Sequence, residues 1–257
     1  MNKIPIAFCL FTTTQGHFKI KTRYLETLES FNRLLHLSNF AERIAHIKIS
    51  PGEEAIGEEM KKNLENRGFN VFSAVADWSH GTNTHQVEYI SDMINVYSSG
   101  IQSPYVFQVE DDFLIDAPGG NFVSILSKAI ELFENSPETM QIRIPRFENE
   151  FDRINRLKEK HNINGIAKKH DKTFFYCNDY SMNPSMFRLR DIKLGLNLLH
   201  RTPQLPFHVE HGLGLIMKTC SLSTTPFAVF NPEVLQIAHI GTRLGDEDNF
   251  EKGIVAT

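Results

Sequence analysis

Along the chain, short runs of apolar, β-favouring residues alternate with longer segments in which apolar positions recur at helical spacing. The first run, Ile4 to Phe11, predicts a buried strand that ends in the polar stretch Thr12-Thr13-Thr14-Gln15-Gly16. From about Thr22 the pattern turns helical, with Leu25, Leu28, Phe31 and Leu34-Leu35 on one face. A second strand over Arg43 to Ile49 and a turn at Ser50-Pro51-Gly52 lead into a helix from Glu54 to Asn66, which Arg67-Gly68 ends. A third strand, Asn70 to Ala76, runs into Asp77-Trp78-Ser79-His80-Gly81, and a helix near His85 to Tyr97 follows. The fourth strand, Tyr105 to Val109, continues directly into Glu110-Asp111-Asp112. An amphipathic helix over Phe122 to Glu134 and a fifth strand around Gln141 to Ile144 complete the regular part.

This alternation predicts an α/β chain built on a mostly parallel sheet flanked by helices. The expected organisation is one compact domain, with a nucleotide-binding-like half over 1–145 and a more irregular half over 146–257. No internal repeat or low-complexity segment interrupts it.

Composition narrows the class. With 41% apolar and 23% charged residues in 257, disorder, collagen-like repeats and coiled coil are excluded. The aromatic set is lopsided, 20 Phe against 6 Tyr and 1 Trp, and Phe brings buried area without a polar handle, so most of it belongs to the core. Cys9, Cys177 and Cys220 form no CxxC pair and leave one over in any pairing, which favours a reducing compartment. Lys3 and the run after it are too short, and lack the cleavage pattern, for an export signal. No apolar run approaches the ~20 residues that span a bilayer. The expectation is a soluble, cytoplasmic protein without a transmembrane segment.

The net charge of −4 conceals a local contrast. Residues 143–172 carry nine Lys or Arg against five Asp or Glu, about +4, and read as a helix and loop that are either a solvated face or a surface for an anionic partner. A nucleic-acid-binding module is one reading of that stretch, although the overall acidity and the lack of a recognition motif oppose it.

Acidic residues placed directly after a buried strand stand at the carboxyl edge of the sheet, where open α/β sheets bind ligands. Carboxylates gathered there are costly to desolvate unless they meet a cation, and Mg²⁺ or Mn²⁺ is the natural partner. A solvated acidic turn is the plainer alternative. The segment Tyr105-Val106-Phe107-Gln108-Val109-Glu110-Asp111-Asp112-Phe113-Leu114-Ile115 resembles the strand and DXD-type motif of GT-A glycosyltransferases, especially the family 2-like and inverting enzymes with a Glu-Asp-Asp version. The resemblance implies a metal-dependent glycosyltransferase with Asp112 on a Mn²⁺ or Mg²⁺ ion and Glu110 and Asp111 on the donor, a nucleoside diphosphate sugar with a UDP-sugar favoured.

Other patches extend the resemblance. Thr12 and Thr13 end the first strand where that family binds the nucleotide, and Thr22-Arg23-Tyr24-Leu25-Glu26-Thr27-Leu28-Glu29-Ser30-Phe31 matches a helix start whose arginine approaches phosphates, which implies that role for Arg23. Asp77 matches a contact to the base or ribose, or is a turn aspartate. In Leu205-Pro206-Phe207-His208-Val209-Glu210-His211-Gly212-Leu213-Gly214 the resemblance implies that Glu210 is the catalytic base of an inverting reaction, with His211 where the family more often has a second acid. As a bare spacing, His208 and His211 lack the i, i+4 separation of a helical zinc pair. Gln236-Ile237-Ala238-His239-Ile240-Gly241-Thr242-Arg243 resembles a C-terminal return in which His239 joins the metal and Arg243 closes over the diphosphate. Asn183-Pro184-Ser185-Met186-Phe187-Arg188 is weakly similar to a segment on the acceptor side.

The implied reaction is sugar transfer to the hydroxyl of a glycan, lipid-linked or other acceptor, which the +4 stretch would allow to be anionic, modified DNA included. A nucleotidyltransferase would use a similar acidic metal site, but Thr12-Thr13-Thr14-Gln15-Gly16 is a poor version of its Gly-rich phosphate loop.

Overall fold

A computed structural model describes residues 3–14, 23–76, 82–145, 168–169, 172–177, 180, 184–202, 209–221, 223 and 225–239, with the backbone alone at 82–87, 168–169 and 239. The expected alternation is present. In chain order it comprises β1 (Ile4–Thr13), α1 (Arg23–Leu34), β2 (Phe40–Ile49), α2 (Glu54–Asn66), β3 (Asn70–Val75), α3 (Thr82–Ser99), β4 (Tyr105–Glu110), β5 (Phe113–Asp116), α4 (Phe122–Asn135) and β6 (Gln141–Arg143). The second half contributes β7 (Lys168–Lys169), β8 (Phe174–Cys177), β9 (Ser185–Arg188), α5 (Leu189–His200), α6 (Val209–Cys220), β10 (Phe227–Phe230) and β11 (Gln236–His239).

Among the described residues, nine strands form one sheet in the order β3-β2-β1-β4-β9-β6-β10-β8-β7, while β11 and β5 make a separate ribbon. Strands β3, β2, β1 and β4 run parallel, as their helical crossovers require. Beyond β4 the sheet is mixed. Strand β9 enters antiparallel between β4 and β6, and β10 lies parallel to β6 but antiparallel to β8.

Two apolar clusters lie on the two faces, because alternate residues of a strand point opposite ways. On one, Phe8 meets Phe31, Phe40, Phe69 and Phe107 with ring centroids 5.0 to 6.2 Å apart, joining β1 and β4 to α1. The other gathers Cys9, Phe11 and Ile44 of the strands with Met93 and Tyr97 of α3, Leu196 of α5 and Leu213 of α6. Phe8 is fully buried in the first cluster, so Phe8→Ala is expected to cost about 3–5 kcal/mol, read as a lowered midpoint in chemical unfolding.

Local chemistry sets several element ends. Asn121 caps α4, its side chain accepting from the Ser124 amide at 3.2 Å, and Gly68 follows α2 with φ of 78°, a backbone state that glycine adopts without strain. Arg188 closes the far end of α4. Its guanidinium donates to the carbonyls of Phe133 (2.6 Å), Ser136 (2.9 Å) and Thr139 (2.9 Å) and pairs with Asp191 at 2.6 Å. Among the described part of the segment 183–188, strand β9 is buried and Arg188 serves the scaffold, while Asn183 lies outside the described residues. The free cysteines comprise buried Cys9 and Cys177 and exposed Cys220. No described helix is long and apolar enough to cross a membrane.

Candidate functional site

The carboxyl ends of β1, β2 and β4 lie side by side, and the acidic triplet occupies the end of β4. Glu110 is the strand's last residue and stands in register with Phe11 of β1. Strand alternation sends Glu110 and Asp111 to opposite faces, Glu110 toward α3 and Asp111 toward α1.

Asp111 is 4% exposed and its contacts are in the protein itself. The Thr12 hydroxyl donates to one carboxylate oxygen at 2.5 Å, and Arg23 donates to the other at 2.8 Å. The Thr27 hydroxyl donates to the backbone carbonyl of Asp111 at 2.9 Å, and the Ser30 hydroxyl accepts from the Ile115 amide at 3.1 Å. Arg23, Thr27 and Ser30 follow an i, i+4, i+7 spacing, so they form a polar stripe on one face of α1. That stripe grips the turn from Asp111 to Ile115 on both sides. The Nε–H of Arg23, buried, has no hydrogen-bond partner among the described residues.

On the other side of the turn, β11 pairs antiparallel with β5, placing His239 opposite Phe113 and therefore one residue from Asp112. Ile237 anchors the ribbon through its amide to the Pro145 carbonyl at 3.0 Å. Asp112 itself is half-buried just past the end of β4.

Above the Glu110 face lies α3. Its second half is tied down by the Tyr97 hydroxyl, which donates to the Gln108 side chain. Its first half is held by Lys48 of β2, which binds Glu88 at 3.0 Å and Asp92 at 2.9 Å. Between these anchors, the Tyr89 ring packs edge-on against Phe11 with centroids 6.0 Å apart. Burial raises the Tyr89 phenol well above its ordinary pKa, and Glu110, Asp92, Asp112 and Glu210 push the same way. Glu210, half-buried in the first turn of α6, thus lies within electrostatic reach of the acidic strand end. Tyr180 is raised likewise, first by burial and then by Glu210 and Tyr89. Residues about 100 positions apart in sequence, Glu110 and Asp112 on β4 and its turn and Glu210 on α6, act on one phenol.

Of the residues singled out from sequence, Thr12, Arg23 and Asp111 form one bonded group, and Thr13 is the last residue of β1. Glu110, Asp112 and Glu210 gather around Tyr89, and the backbone of residue 239 adjoins Asp112's turn. Asp77 and Arg243 lie outside the described residues, as do His80, His208 and positions 146–167 of the basic stretch. Tyr89 and Lys48 carried no sequence signal, since a tyrosine on the inner face of a helix and a lysine in a strand both read as ordinary scaffold.

No protein-family model matches the chain, and no curated protein matches it by sequence. Solved structures do match. A structure of GalNAc-T7 with UDP, GalNAc and Mn²⁺ superposes with a TM-score of 0.56 at 10% identity, covering 93% of this chain and 44% of that one. The mannosyltransferase PcManGT from Pyrobaculum calidifontis, with GDP-Man and Mn²⁺, gives 0.50 at 11% identity, covering 95% and 59%. The fold is GT-A-like. A Bacillus anthracis protein assigned as a glucose-1-phosphate thymidylyltransferase, in complex with a sucrose, shares this GT-A-like architecture at 0.52 and 7% identity, covering 98% and 96%. The chain therefore spans about half the length of the two glycosyltransferase structures and nearly all of the thymidylyltransferase. At these identities the likeness establishes the fold alone.

Proposed function

We propose that the chain is a metal-dependent glycosyltransferase of the inverting type, moving a sugar from a nucleoside diphosphate sugar to an acceptor hydroxyl. The observation that carries this reading is that Glu110 and Asp112 at the carboxyl edge of the sheet and Glu210 of α6 all act electrostatically on the one buried Tyr89 hydroxyl. The ligands in the two glycosyltransferase structures, UDP with GalNAc and GDP-Man, each with Mn²⁺, support its nucleotide-sugar and metal parts.

No three His, Cys, Asp or Glu side chains form a ready cage among the described residues. A donor set of the Asp112 carboxylate and the His239 imidazole nevertheless fits Mn²⁺ or Mg²⁺, which take oxygen and imidazole ligands and leave positions to substrate phosphates and water. Such an ion would supply neutralisation of the charge that develops on the departing diphosphate. Glu210 takes the proton of the attacking hydroxyl, and one carboxylate suffices because a drying site raises its affinity for protons. Glu110 and Thr13 face the donor, Asp77 meets the base or ribose, and Arg243 closes over the phosphates. Asp111 acts on the donor through the Thr12 and Arg23 side chains that it holds. A UDP-sugar is the favoured donor. The acceptor is a glycan, lipid-linked or other hydroxyl compound, and the basic 143–172 stretch favours an anionic one.

The test is a thermal-shift panel of UDP-glucose, GDP-mannose, dTDP-glucose and CMP-N-acetylneuraminate, each with and without Mn²⁺. One nucleotide sugar should stabilise the protein chiefly when Mn²⁺ is present, and Asp112→Asn should abolish the metal-dependent part. Metal dependence that survives in that variant overturns the assignment of Asp112. A product that keeps the donor's anomeric configuration overturns the inverting scheme.

Nucleotidyl transfer is the second reading, favoured by the thymidylyltransferase, which matches over 96% of its length. Stabilisation by a nucleoside triphosphate with Mg²⁺, and pyrophosphate release, would mark it. Against it, the end of β1 turns inward. Thr12 bonds Asp111, and the Thr14 hydroxyl accepts from the Ser50 amide at 2.8 Å, so these two side chains are engaged within the protein.

A further inference from the structure

We infer that Tyr89 is a substrate-binding residue of this site, its hydroxyl donating a hydrogen bond to a hydroxyl oxygen of the transferred sugar; the inference rests on the glycosyl-transfer reading.

Tyr89 and Tyr97 are eight residues apart on α3, a little over two turns, so both rings lie on the inner face. The Tyr97 hydroxyl is satisfied inside the protein by Gln108. The Tyr89 hydroxyl is closed off from solvent yet has no hydrogen-bond partner among the described residues. Leaving a buried hydroxyl unbonded is costly, so folded proteins rarely tolerate one without a reason. Nothing about the ring demands it, because the contact with Phe11 would be made equally well by phenylalanine.

Its surroundings then select the ligand. Carboxylates on three elements act on the phenol through space: Glu110 and Asp112 at the end of β4, Asp92 of α3, and Glu210 of α6. Lys48 already engages Asp92. Together with burial, these charges keep the phenol protonated, so it offers a proton to an acceptor. A bare anionic oxygen would be repelled by so many carboxylates. An alcohol oxygen is not, because it can accept from Tyr89 and donate its own proton to a neighbouring carboxylate. A ligand made of such alcohols is a sugar, and the part of a nucleotide sugar that sits between a metal-edge acid and the catalytic base is the sugar being transferred.

The experiment compares wild type with Tyr89→Phe by thermal shift in three states: without ligand, with Mn²⁺ and each of UDP, GDP, dTDP and CMP, and with Mn²⁺ and the matching nucleotide sugars of the panel. Removing a hydroxyl that has no internal partner should leave the unliganded melting temperature equal or raised. The response to the nucleotide alone should be unchanged, and affinity for its sugar conjugate should fall about three- to tenfold, the worth of one hydrogen bond. A melting temperature lowered by several degrees would show that the hydroxyl is bonded within the protein, and undiminished affinity for the nucleotide sugar would show that the sugar does not touch it. Either result overturns the inference while leaving glycosyl transfer standing. If the wild type responds to no nucleotide sugar in the presence of Mn²⁺, glycosyl transfer itself fails and this inference with it.

Discussion

Glu210→Gln should lower the rate of sugar transfer by about 10²–10⁴-fold, the range that a positioned general base contributes. Glutamine keeps the shape and the hydrogen-bonding capacity of the side chain but cannot take a proton. Glu210 stands in the first turn of α6, and the proposed role sets it on the acceptor hydroxyl rather than on the nucleotide, so donor binding should be spared. The expected pattern is therefore split: a large fall in turnover with the stabilisation by nucleotide sugar and Mn²⁺ nearly intact. A variant that transfers sugar at the wild-type rate would assign the base elsewhere. One that loses donor affinity as much as turnover would make Glu210 a binding residue.

Asp111→Ala should fail differently, in folding first. The carboxylate joins Thr12 of β1 to Arg23 of α1, and Arg23, with its side chain 13% exposed, would be left without its ionic partner. Breaking a largely buried pair from one side costs about 3–5 kcal/mol, a substantial share of the stability of an ordinary domain. Asp111→Asn is the informative companion. It keeps the shape and an acceptor for Thr12 while removing the charge opposite Arg23, so it should retain more stability than alanine. Chemical unfolding of both variants measures this, and an alanine variant as stable as the wild type would mean that the bonds around Asp111 contribute nothing net.

These two expectations show where sequence reading was strong. Strands β1 to β4 and helices α1, α2 and α4 were legible because each is long enough for its apolar period to stand out, and the α2 boundaries agree to the residue. The position of the acidic triplet was legible because it follows directly on a strand with an unambiguous β pattern. Arg23 and Asp111, by contrast, were each assigned to a ligand, and the structure bonds them to one another. A pairing across 88 positions depends on how β4 lies against α1, and no local pattern records that. The same holds for β5 and β11. At four residues each they are too short to announce themselves, and their partnership depends on where the chain returns after β10. The antiparallel entry of β9 between β4 and β6 was hidden for a similar reason, since periodicity gives a strand but not its neighbours.

The β5–β11 ribbon has a kinetic consequence. Two strands of four residues outside the main sheet cannot hold themselves together, and the ribbon relies on the burial of Leu235 and Ile237 and on the bond from Ile237 to Pro145. Its closure joins segments some 120 positions apart, as the bond from Gln236 to Asp116 does, so it must follow the assembly of the sheet during folding. Reopening it breaks few contacts and leaves both apolar clusters largely in place. The side of the acidic turn facing β11 is therefore completed last and released first, while the main sheet stays folded.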